Sequence, residues 1–158
     1  MSPGVRWRFE IDDLTHPAVV ALLQFHLDSA HANSPACKIH ALDLSGLRDP
    51  SVTLWSVWED DALVGMGALK MLGEGQAELK SMRVAPDHLR RGIGAAILDH
   101  LLGEARARGV TWVGLETGGN AAFAPARAMY ERAGFVECAG FGDYRVDEFT
   151  RCYALQLR

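Results

Sequence analysis

Apolar residues recur every three or four positions between residues 93 and 105, and this spacing predicts a helix with one face in the core. The apolar positions of this helix are Ile93, Ala96, Ile97, Leu98, Leu101, Leu102 and Ala105. A β-rich run at 77–84 precedes the helix, and a basic loop at 85–91 connects the two. The chain therefore contains a strand, a basic loop and a helix in succession.

Similar patterns divide the rest of the chain into strands and helices. Further strands are predicted at 5–12, 52–59, 62–72, 110–117, 135–139 and 152–157, and further helices at 17–30, 41–47 and 124–133. Asp60 and Asp61 form a turn that makes a hairpin, and Gly65 and Gly67 are expected to weaken its second strand or mark a bulge. The helix at 93–105 crosses between two strands that we expect to be parallel. We predict an α/β fold with a mixed central sheet of about seven strands and four helices.

Composition favours a single domain spanning residues 1–158. Apolar residues make up 49% and charged residues 23% of the chain, which is usual for a globular protein. A net charge of −4 argues against binding to nucleic acid. No apolar run approaches the ~20 residues that cross a membrane. Cys37, Cys138 and Cys152 show neither metal-site spacing nor an even count, so we expect no metal, reduced thiols and a cytoplasmic location.

The start of the predicted helix carries the features of a phosphate-binding site. Gly92 and Gly94 have no side chain to keep a ligand from the free N–H groups of the first turn, and Arg90 and Arg91 add positive charge. A P-loop is excluded because Ala95 and its neighbour stand where Lys and Ser or Thr are needed. A nicotinamide-dependent enzyme stays a weak alternative, since its third fingerprint glycine is replaced by isoleucine here.

Two motifs resemble the GNAT superfamily of acetyl-CoA-dependent N-acetyltransferases. These are Val84-Ala85-Pro86 with Arg91-Gly92-Ile93-Gly94 and Leu98, and Met129-Tyr130-Glu131-Arg132-Ala133-Gly134-Phe135. The order of elements matches that fold over nearly the whole chain. Ser34-Pro35, His40-Ala41-Leu42-Asp43-Leu44 and Gly142-Asp143-Tyr144 are further similar to a group of small bacterial acetyltransferases of the YsnE-like kind.

The resemblance implies acetyl-CoA as co-substrate. Main-chain N–H groups at the helix start would hold the pyrophosphate, a strand edge would pair with the pantetheine arm, and the Tyr130 hydroxyl would protonate the departing thiolate. The implied cofactor-binding residues are Met82, Arg83, Val84, Arg90, Arg91, Gly92, Ile93, Gly94, Ala95 and Asn120. Leu89 and Phe123 depart from the family pattern, which has Gln or Arg and Asn there, and Asn120 is the candidate substitute for the latter.

Transfer of an acetyl group to an amine also needs a base, because a lysine-type amine has a pKa near ~10.4. Period-2 alternation places Glu78, Lys80, Met82 and Val84 on one side of the strand, so Glu78 is the first candidate and Glu116 the second. The structural alternatives stay open: Glu78 could be a plain solvated or salt-bridged strand carboxylate, Tyr130 a core aromatic, and the two arginines a solvated pair.

These observations predict direct transfer, in a ternary complex, to a primary amine of a small molecule or peptide. A non-catalytic acyl-CoA sensor is the alternative, because it needs the phosphate cradle and neither catalytic side chain. The acceptor site is expected from segments 31–47 and 140–148, where His31 and His40 are weak candidates for contact and Asp43, Asp143, Asp147 and Glu148 suggest a cationic amine. A homodimer is one of the open oligomeric states.

Overall fold

The computed structural model describes residues 7–33, 44–142 and 144–157. The strands are β1 (Arg8–Ile11), β2 (Val52–Glu59), β3 (Ala62–Gly73), β4 (Gln76–Val84), β5 (Trp112–Gly118), β6 (Val136–Cys138) and β7 (Thr150–Gln156). The helices are α1 (Pro17–Asn33), α2 (Leu44–Leu47), α3 (Ile93–Ala107) and α4 (Ala124–Arg132). Residues 41–43 of the predicted second helix, together with His40, Asp143, Cys37 and the His31 side chain, lie outside the described part.

The strands form one seven-stranded sheet in the order β1-β2-β3-β4-β5-β7-β6. The pairs from β1 to β4 are antiparallel, β4 and β5 are parallel, and β7 pairs antiparallel with both β5 and β6. The α3 helix provides the crossover that a parallel pair requires. The predicted mixed α/β fold is therefore confirmed.

Each face of the sheet covers a separate apolar core. On one face, which we call the α3 face, Ile93, Ile97 and Leu101 of α3 are each at most 1% exposed. On the other, the α1 face, Val19 and Leu23 of α1 pack with strand residues of β2 and β3. A sheet with apolar layers on both sides buries the middle residues of its interior strands, as β2 and β3 show.

Gly65 and Gly67 of β3 let α3 approach the sheet closely. A Cβ at Gly67 would lie 2.7 Å from Ile97 Cγ2, and one at Gly65 would lie 2.8 Å from Ile97 Cδ1. The sequence predicted a weak edge or a bulge here. The bulge is confirmed, because the pairing of β3 shifts register beside Gly65, opposite Val57 and Trp58, and across Gly67, between Met66 and Ala68. The weak edge is wrong, because β3 is an interior strand of the sheet, and its glycines also make room for the helix.

A bulge in β4 corrects one prediction about the direction of its side chains. Met66 pairs with Arg83 and Ala68 pairs with Lys80, so β4 carries one residue more than β3 across this step. Ser81 within it has a φ of 55°. The expected common side for Glu78, Lys80, Met82 and Val84 is therefore wrong. Glu78, Lys80 and Arg83 lie on the α1 face, and Met82 and Val84 pack into the core on the α3 face.

Candidate active site

Strands β4 and β5 separate in the middle of the sheet. Their parallel pairing runs from Gln76 with Trp112 to Leu79 with Leu115 and ends there. Beyond this point β4 continues to Val84, while β5 stays paired with β7 as far as Gly118. We call the gap between residues 80–84 and 116–118 the wedge. It leaves one edge of β4 available to pair with an extended ligand.

The loop after β4 arranges main-chain N–H groups at the start of α3. Arg90 and Gly92 have φ values of 64° and 85°, and such left-handed residues turn successive N–H groups toward one side. The first helical hydrogen bond runs from the Ala96 N–H to the Gly92 carbonyl at 3.1 Å. The unpaired N–H groups, for which no described main-chain acceptor is found, belong to Arg91, Gly92, Ile93, Gly94 and Ala95. This is an anion cradle of the kind found at helix N-termini.

The Arg91 side chain is held beside this cradle by an ion pair. Its Nη2 lies 2.6 Å from Glu59 Oε2, and its Nη1 lies 2.9 Å from His88 Nδ1. Trp7 donates its indole N–H to the same Glu59 oxygen at 3.0 Å. Arg90, in contrast, is exposed. Glu59, the last residue of β2, thus orients the guanidinium of Arg91 in the loop before α3.

Gly94 joins the cradle to the helix that carries Tyr130. A Cβ at Gly94 would lie 3.3 Å from Met129 Sδ and 3.6 Å from Val84 Cγ2, so a side chain there would crowd the ends of α4 and β4. Ile93 contributes only its main chain, because its side chain is 1% exposed. Ala95 is exposed in the first turn.

Tyr130 lies in the α3-face core close to the wedge. It is 9% exposed, and its ring contacts Phe135 and Tyr153 at centroid distances of 6.0 Å and 6.3 Å. Burial raises the pKa of Tyr130 to about 12, while Arg83 lowers it and Glu116 raises it further. The phenol therefore stays protonated at neutral pH and can donate a proton.

Glu78 belongs to a compact polar cluster on the α1 face. Its Oε2 accepts hydrogen bonds from Lys80 Nζ at 3.1 Å and from the Tyr144 hydroxyl at 2.5 Å. Lys80 also donates to the Tyr144 hydroxyl at 2.6 Å. Glu78 is 4% exposed, so this carboxylate is balanced by a buried ammonium rather than by water.

Glu116 lies on the same face, across the wedge. It follows Gly114, the partner of Glu78, by two residues along β5, and the side chain is half-buried. Burial raises the pKa of Glu116 to about 7; Lys80 opposes the rise and Glu78 adds to it. A carboxyl that titrates near neutral pH suits proton transfer. In the described part of the chain it has no ion pair within reach.

Asn120 follows β5 and caps a short 3-10 turn. Its side-chain oxygen accepts from the Ala122 N–H at 3.1 Å, and its carbonyl accepts from Arg127 at 2.9 Å. The side chain is exposed. Phe123, which stands at the family's Asn position, lies flat on Gly118, where a Cβ would meet the ring at 2.1 Å.

The profile described as the Acetyltransferase (GNAT) family matches residues 19–135 of this chain. The chain belongs to the GNAT acetyltransferase family. The match spans the wedge, the amide cradle and Tyr130, so the GNAT assignment covers the elements that form the candidate site.

Two GNAT relatives are similar over most of their length. The chain is 48% identical to the uncharacterized N-acetyltransferase YedL of Escherichia coli (strain K12) over 92% of each chain. It is 49% identical to the uncharacterized N-acetyltransferase YsnE of Bacillus subtilis (strain 168), covering 87% of this chain and 91% of that one. The expected resemblance to the GNAT superfamily and to YsnE-like proteins is confirmed.

Solved GNAT structures share the fold. The acyl-CoA N-acyltransferase structure from Klebsiella pneumoniae has a TM-score of 0.80 and 26% identity, covering 96% of this chain and 98% of that one. A Bacillus subtilis acetyltransferase solved in complex with CoA has a TM-score of 0.68 at 15% identity, with coverages of 96% and 99%.

Sequence reasoning missed several side chains that meet at this GNAT site. Tyr144 reaches Glu78 from 66 residues away, and Glu59 reaches Arg91 across 32 residues. The only available signal for Tyr144 was its place in a motif shared with small acetyltransferases. No group of side chains that could hold a metal occurs among the described residues, and no helix there is long and apolar enough to cross a membrane.

Proposed function

We propose that this protein is an acetyl-CoA-dependent N-acetyltransferase that transfers the acetyl group directly to a primary amine in a ternary complex. The observation that carries the proposal is the wedge: its β4 side continues into the loop with the unpaired amides at the start of α3, and its β5 side carries Glu116. Both reacting groups of an acetyl transfer have a place along the wedge. The expected setting is the cytoplasm.

The amide cradle suits the pyrophosphate of coenzyme A. The unpaired N–H groups of residues 91–95 supply donors, the helix dipole favours negative charge, and Arg91 adds a cation. Arg90 is the exposed second cation of the loop. The unpaired edge of β4 at Met82, Arg83 and Val84 would take the pantetheine arm as an added strand. The CoA complex of a protein with the same fold supports acetyl-CoA as the co-substrate.

The transfer forms a C–N bond and breaks a C–S bond. The amine nitrogen attacks the thioester carbonyl carbon, and collapse of the tetrahedral intermediate expels the thiolate of CoA. Tyr130 is the proposed donor of a proton to that thiolate, and its raised pKa keeps it protonated until the thiolate forms. A main-chain N–H of β4 next to the wedge is the proposed donor to the developing oxyanion.

Two carboxylates are the candidates for accepting the amine proton. Glu78 is the candidate from the sequence, but its Oε2 already accepts from Lys80 and Tyr144. Glu116 is favoured by its pKa of about 7, which lets it exchange a proton near neutral pH. Glu116, which has no ion-pair partner among the described residues, would also attract a cationic amine of a small molecule or peptide into the wedge.

A transfer assay tests this function. The purified protein is incubated with acetyl-CoA and a panel of primary amines, and free thiol and acetylated product are both quantified. The proposal predicts equal amounts of thiol and product, and initial velocities that require both substrates together. Tight binding of acetyl-CoA without transfer to any amine would favour the sensor alternative. Product formed from pre-acetylated enzyme, after removal of acetyl-CoA, would contradict direct transfer.

A further inference from the structure

Arg83 projects from β4 onto the α1 face, close to the position proposed for acetyl transfer. Its pairing partner Met66 is fully buried beneath α1, which fixes the direction of the Arg83 side chain. The bulge at Ser81 causes this placement, because without the extra residue Arg83 would point to the α3 face. The side chain is half-buried.

The contacts of the Arg83 guanidinium with described residues involve no negatively charged group. Its Nε donates to His26 Nδ1 at 3.0 Å, and its central carbon lies 5.5 Å from the ring centroid of Phe25. Burial, helped by Arg83, lowers the pKa of His26 to about 4, so the imidazole is neutral at pH 7. Helix α1 thus supports the cation through a neutral acceptor and an aromatic face.

Arg83 lacks an acidic partner within the described residues, where the ion pairs involve other cations. Burying a cation without a counter-charge is costly, and burial lowers the pKa of Arg83. Lys80, the neighbouring cation on this face, is already paired with Glu78 at 3.1 Å. The contacts of Arg83 leave both terminal nitrogens available, in the geometry that binds a carboxylate through two parallel hydrogen bonds.

The opposite side of the wedge carries the opposite charge. Glu116 lies on β5, on the same α1 face as Arg83 on β4. Arg83 and Glu116 border the wedge from its two sides, beyond the last β4–β5 pair of Leu79 with Leu115. A molecule bound between the two strands would therefore meet a cation on one side and a carboxylate on the other, and neither group has an ion-pair partner in the described part of the chain.

We propose, resting on the acetyltransferase function proposed above, that the acceptor is an amino-carboxylate. Its carboxylate would bind the two terminal nitrogens of Arg83, and its amine would face Glu116 and the thioester carbonyl. Amino acids of α or β type have this pair of groups a few bonds apart. Arg83 is thus the specificity-determining residue for the acceptor through its side chain, while its main chain belongs to the strand edge proposed for pantetheine.

Matched acids and amides test the proposal. Acetyl transfer is measured with common α-amino acids and β-alanine, each compared with its primary amide, and with simple alkylamines and phosphoethanolamine. The wild-type protein should prefer at least one acid over its amide by about tenfold or more in kcat/KM, as expected for hydrogen bonds to a charged group. The amine of the amide is less basic and loses its proton more readily, so amine chemistry alone favours the amide. A preference for the acid must therefore come from recognition of the carboxylate.

Variants of Arg83 then test whether this side chain causes the preference for the acid over its amide. Arg83→Met should bring the acid-to-amide ratio to about one or below, because the amine of the amide is then the more readily deprotonated of two equally bound groups. Arg83→Lys should give an intermediate ratio, because an ammonium cannot bind both carboxylate oxygens as the guanidinium fork does. Arg106→Met removes an exposed cation from the end of α3 and should keep the wild-type ratio. Thermal melting and calorimetric binding of acetyl-CoA report on the integrity of each variant. If Arg83→Met does not fold, a reduced ratio in Arg83→Lys supports the proposal and an unchanged ratio overturns it.

The outcomes separate this inference from the function on which it rests. Wild-type acetylation of alkylamines or amides, with no preference for acids, overturns the amino-carboxylate proposal and leaves the acetyltransferase function standing. A preference that survives Arg83→Met overturns the role of Arg83, and a preference for phosphoethanolamine over every acid shows that the anion is a phosphate. Absence of transfer to any amine overturns the acetyltransferase function itself.

Discussion

Replacing Glu116 by Gln should stabilise the fold and slow the reaction together. In the unfolded chain this carboxyl titrates near 4.5, and in the folded protein burial raises its pKa to about 7. Below pH 4.5 both states are protonated, and the group has no effect on stability. Between 4.5 and 7 the unfolded state ionises first, so the free energy of unfolding falls as pH rises. Above pH 7 both states are ionised, and the free energy of unfolding is lowered by its full amount.

The size of this effect follows from the two pKa values. At 1.36 kcal/mol per pH unit, the interval from 4.5 to about 7 sets a ceiling of about 3 kcal/mol. Partial access of water to a half-buried side chain reduces the expected penalty to about 1–2 kcal/mol. Glu116→Gln should therefore be about 1–2 kcal/mol more stable than wild type at pH 8, with the difference shrinking toward zero as pH falls to 4.5.

Urea unfolding between pH 4.5 and pH 8 measures this difference. Glu74→Gln is the matched control, because Glu74 is exposed in the turn between β3 and β4 and its replacement removes the same charge from a position open to water. If the difference in stability between Glu116→Gln and wild type stays constant with pH, burial does not raise the pKa of Glu116.

The pH dependence of the rate gives the catalytic half of the same prediction. Wild-type kcat/KM should rise with pH through a limb near 7, the pKa of Glu116. Glu116→Gln should lose that limb and fall about 100- to 10,000-fold, the usual contribution of a general base. If the limb persists in Glu116→Gln and disappears in Glu78→Gln, the proton acceptor is Glu78.

Three further predictions concern packing, the proton donor and ligand binding. Gly67→Ala should lower the free energy of unfolding in urea by about 1–3 kcal/mol, because its Cβ would lie 2.7 Å from Ile97 Cγ2. The control Gly103→Ala, with nothing within 4 Å, should raise it by about 0.5–1 kcal/mol. Equal effects of the two substitutions would contradict the close approach of α3. Tyr130→Phe should lower kcat at least about tenfold while calorimetry shows acetyl-CoA still bound, and an unaltered kcat would make its hydroxyl dispensable. Acetyl-CoA at about 100 times its Kd should add about 2.7 kcal/mol and raise the melting temperature by about 5–10 °C, and no shift would count against coenzyme binding.

The fold followed from the sequence wherever one regular period ran through an element. The apolar spacing of Ile93, Ile97 and Leu101 predicted α3 and its buried face, and all three side chains are at most 1% exposed. The glycines at 92 and 94 marked the helix start with its unpaired N–H groups because the conformation there is local, and phosphate binding stays a prediction. Local propensity and patterning decide such features, and a single sequence contains them.

The period-2 alternation of side chains along a strand could not predict the bulge in β4. Ser81 adopts a φ of 55°, a region that a non-glycine residue rarely visits, and nothing in its neighbours signals this. The extra residue transfers Arg83 to the α1 face and Met82 to the α3 face. A period-2 pattern assumes unbroken pairing, so it fails for every residue after the irregularity.

Contacts between residues that lie far apart in the chain could not be predicted from the sequence either. The ion pair between Arg91 and Glu59 and the cluster of Glu78 with Tyr144 form only when separate strands and loops meet in the folded protein. They change the chemistry that the sequence suggested, because Glu78 is already engaged as a hydrogen-bond acceptor and Glu116 carries the perturbed pKa. Site electrostatics depends on burial and on such neighbours, which the order of residues does not give.

The central claim is that bare main-chain amides at the start of α3 hold the coenzyme. Amide hydrogen exchange, followed by NMR residue by residue in the free protein and with saturating acetyl-CoA, tests it most directly. We expect fast exchange at Arg91, Gly92, Gly94 and Ala95 in the free protein and at least about tenfold slower exchange with ligand, since these N–H groups have no described main-chain acceptor until a phosphate supplies one. Amides that are already protected in the free protein, or that acetyl-CoA leaves unchanged, would contradict it.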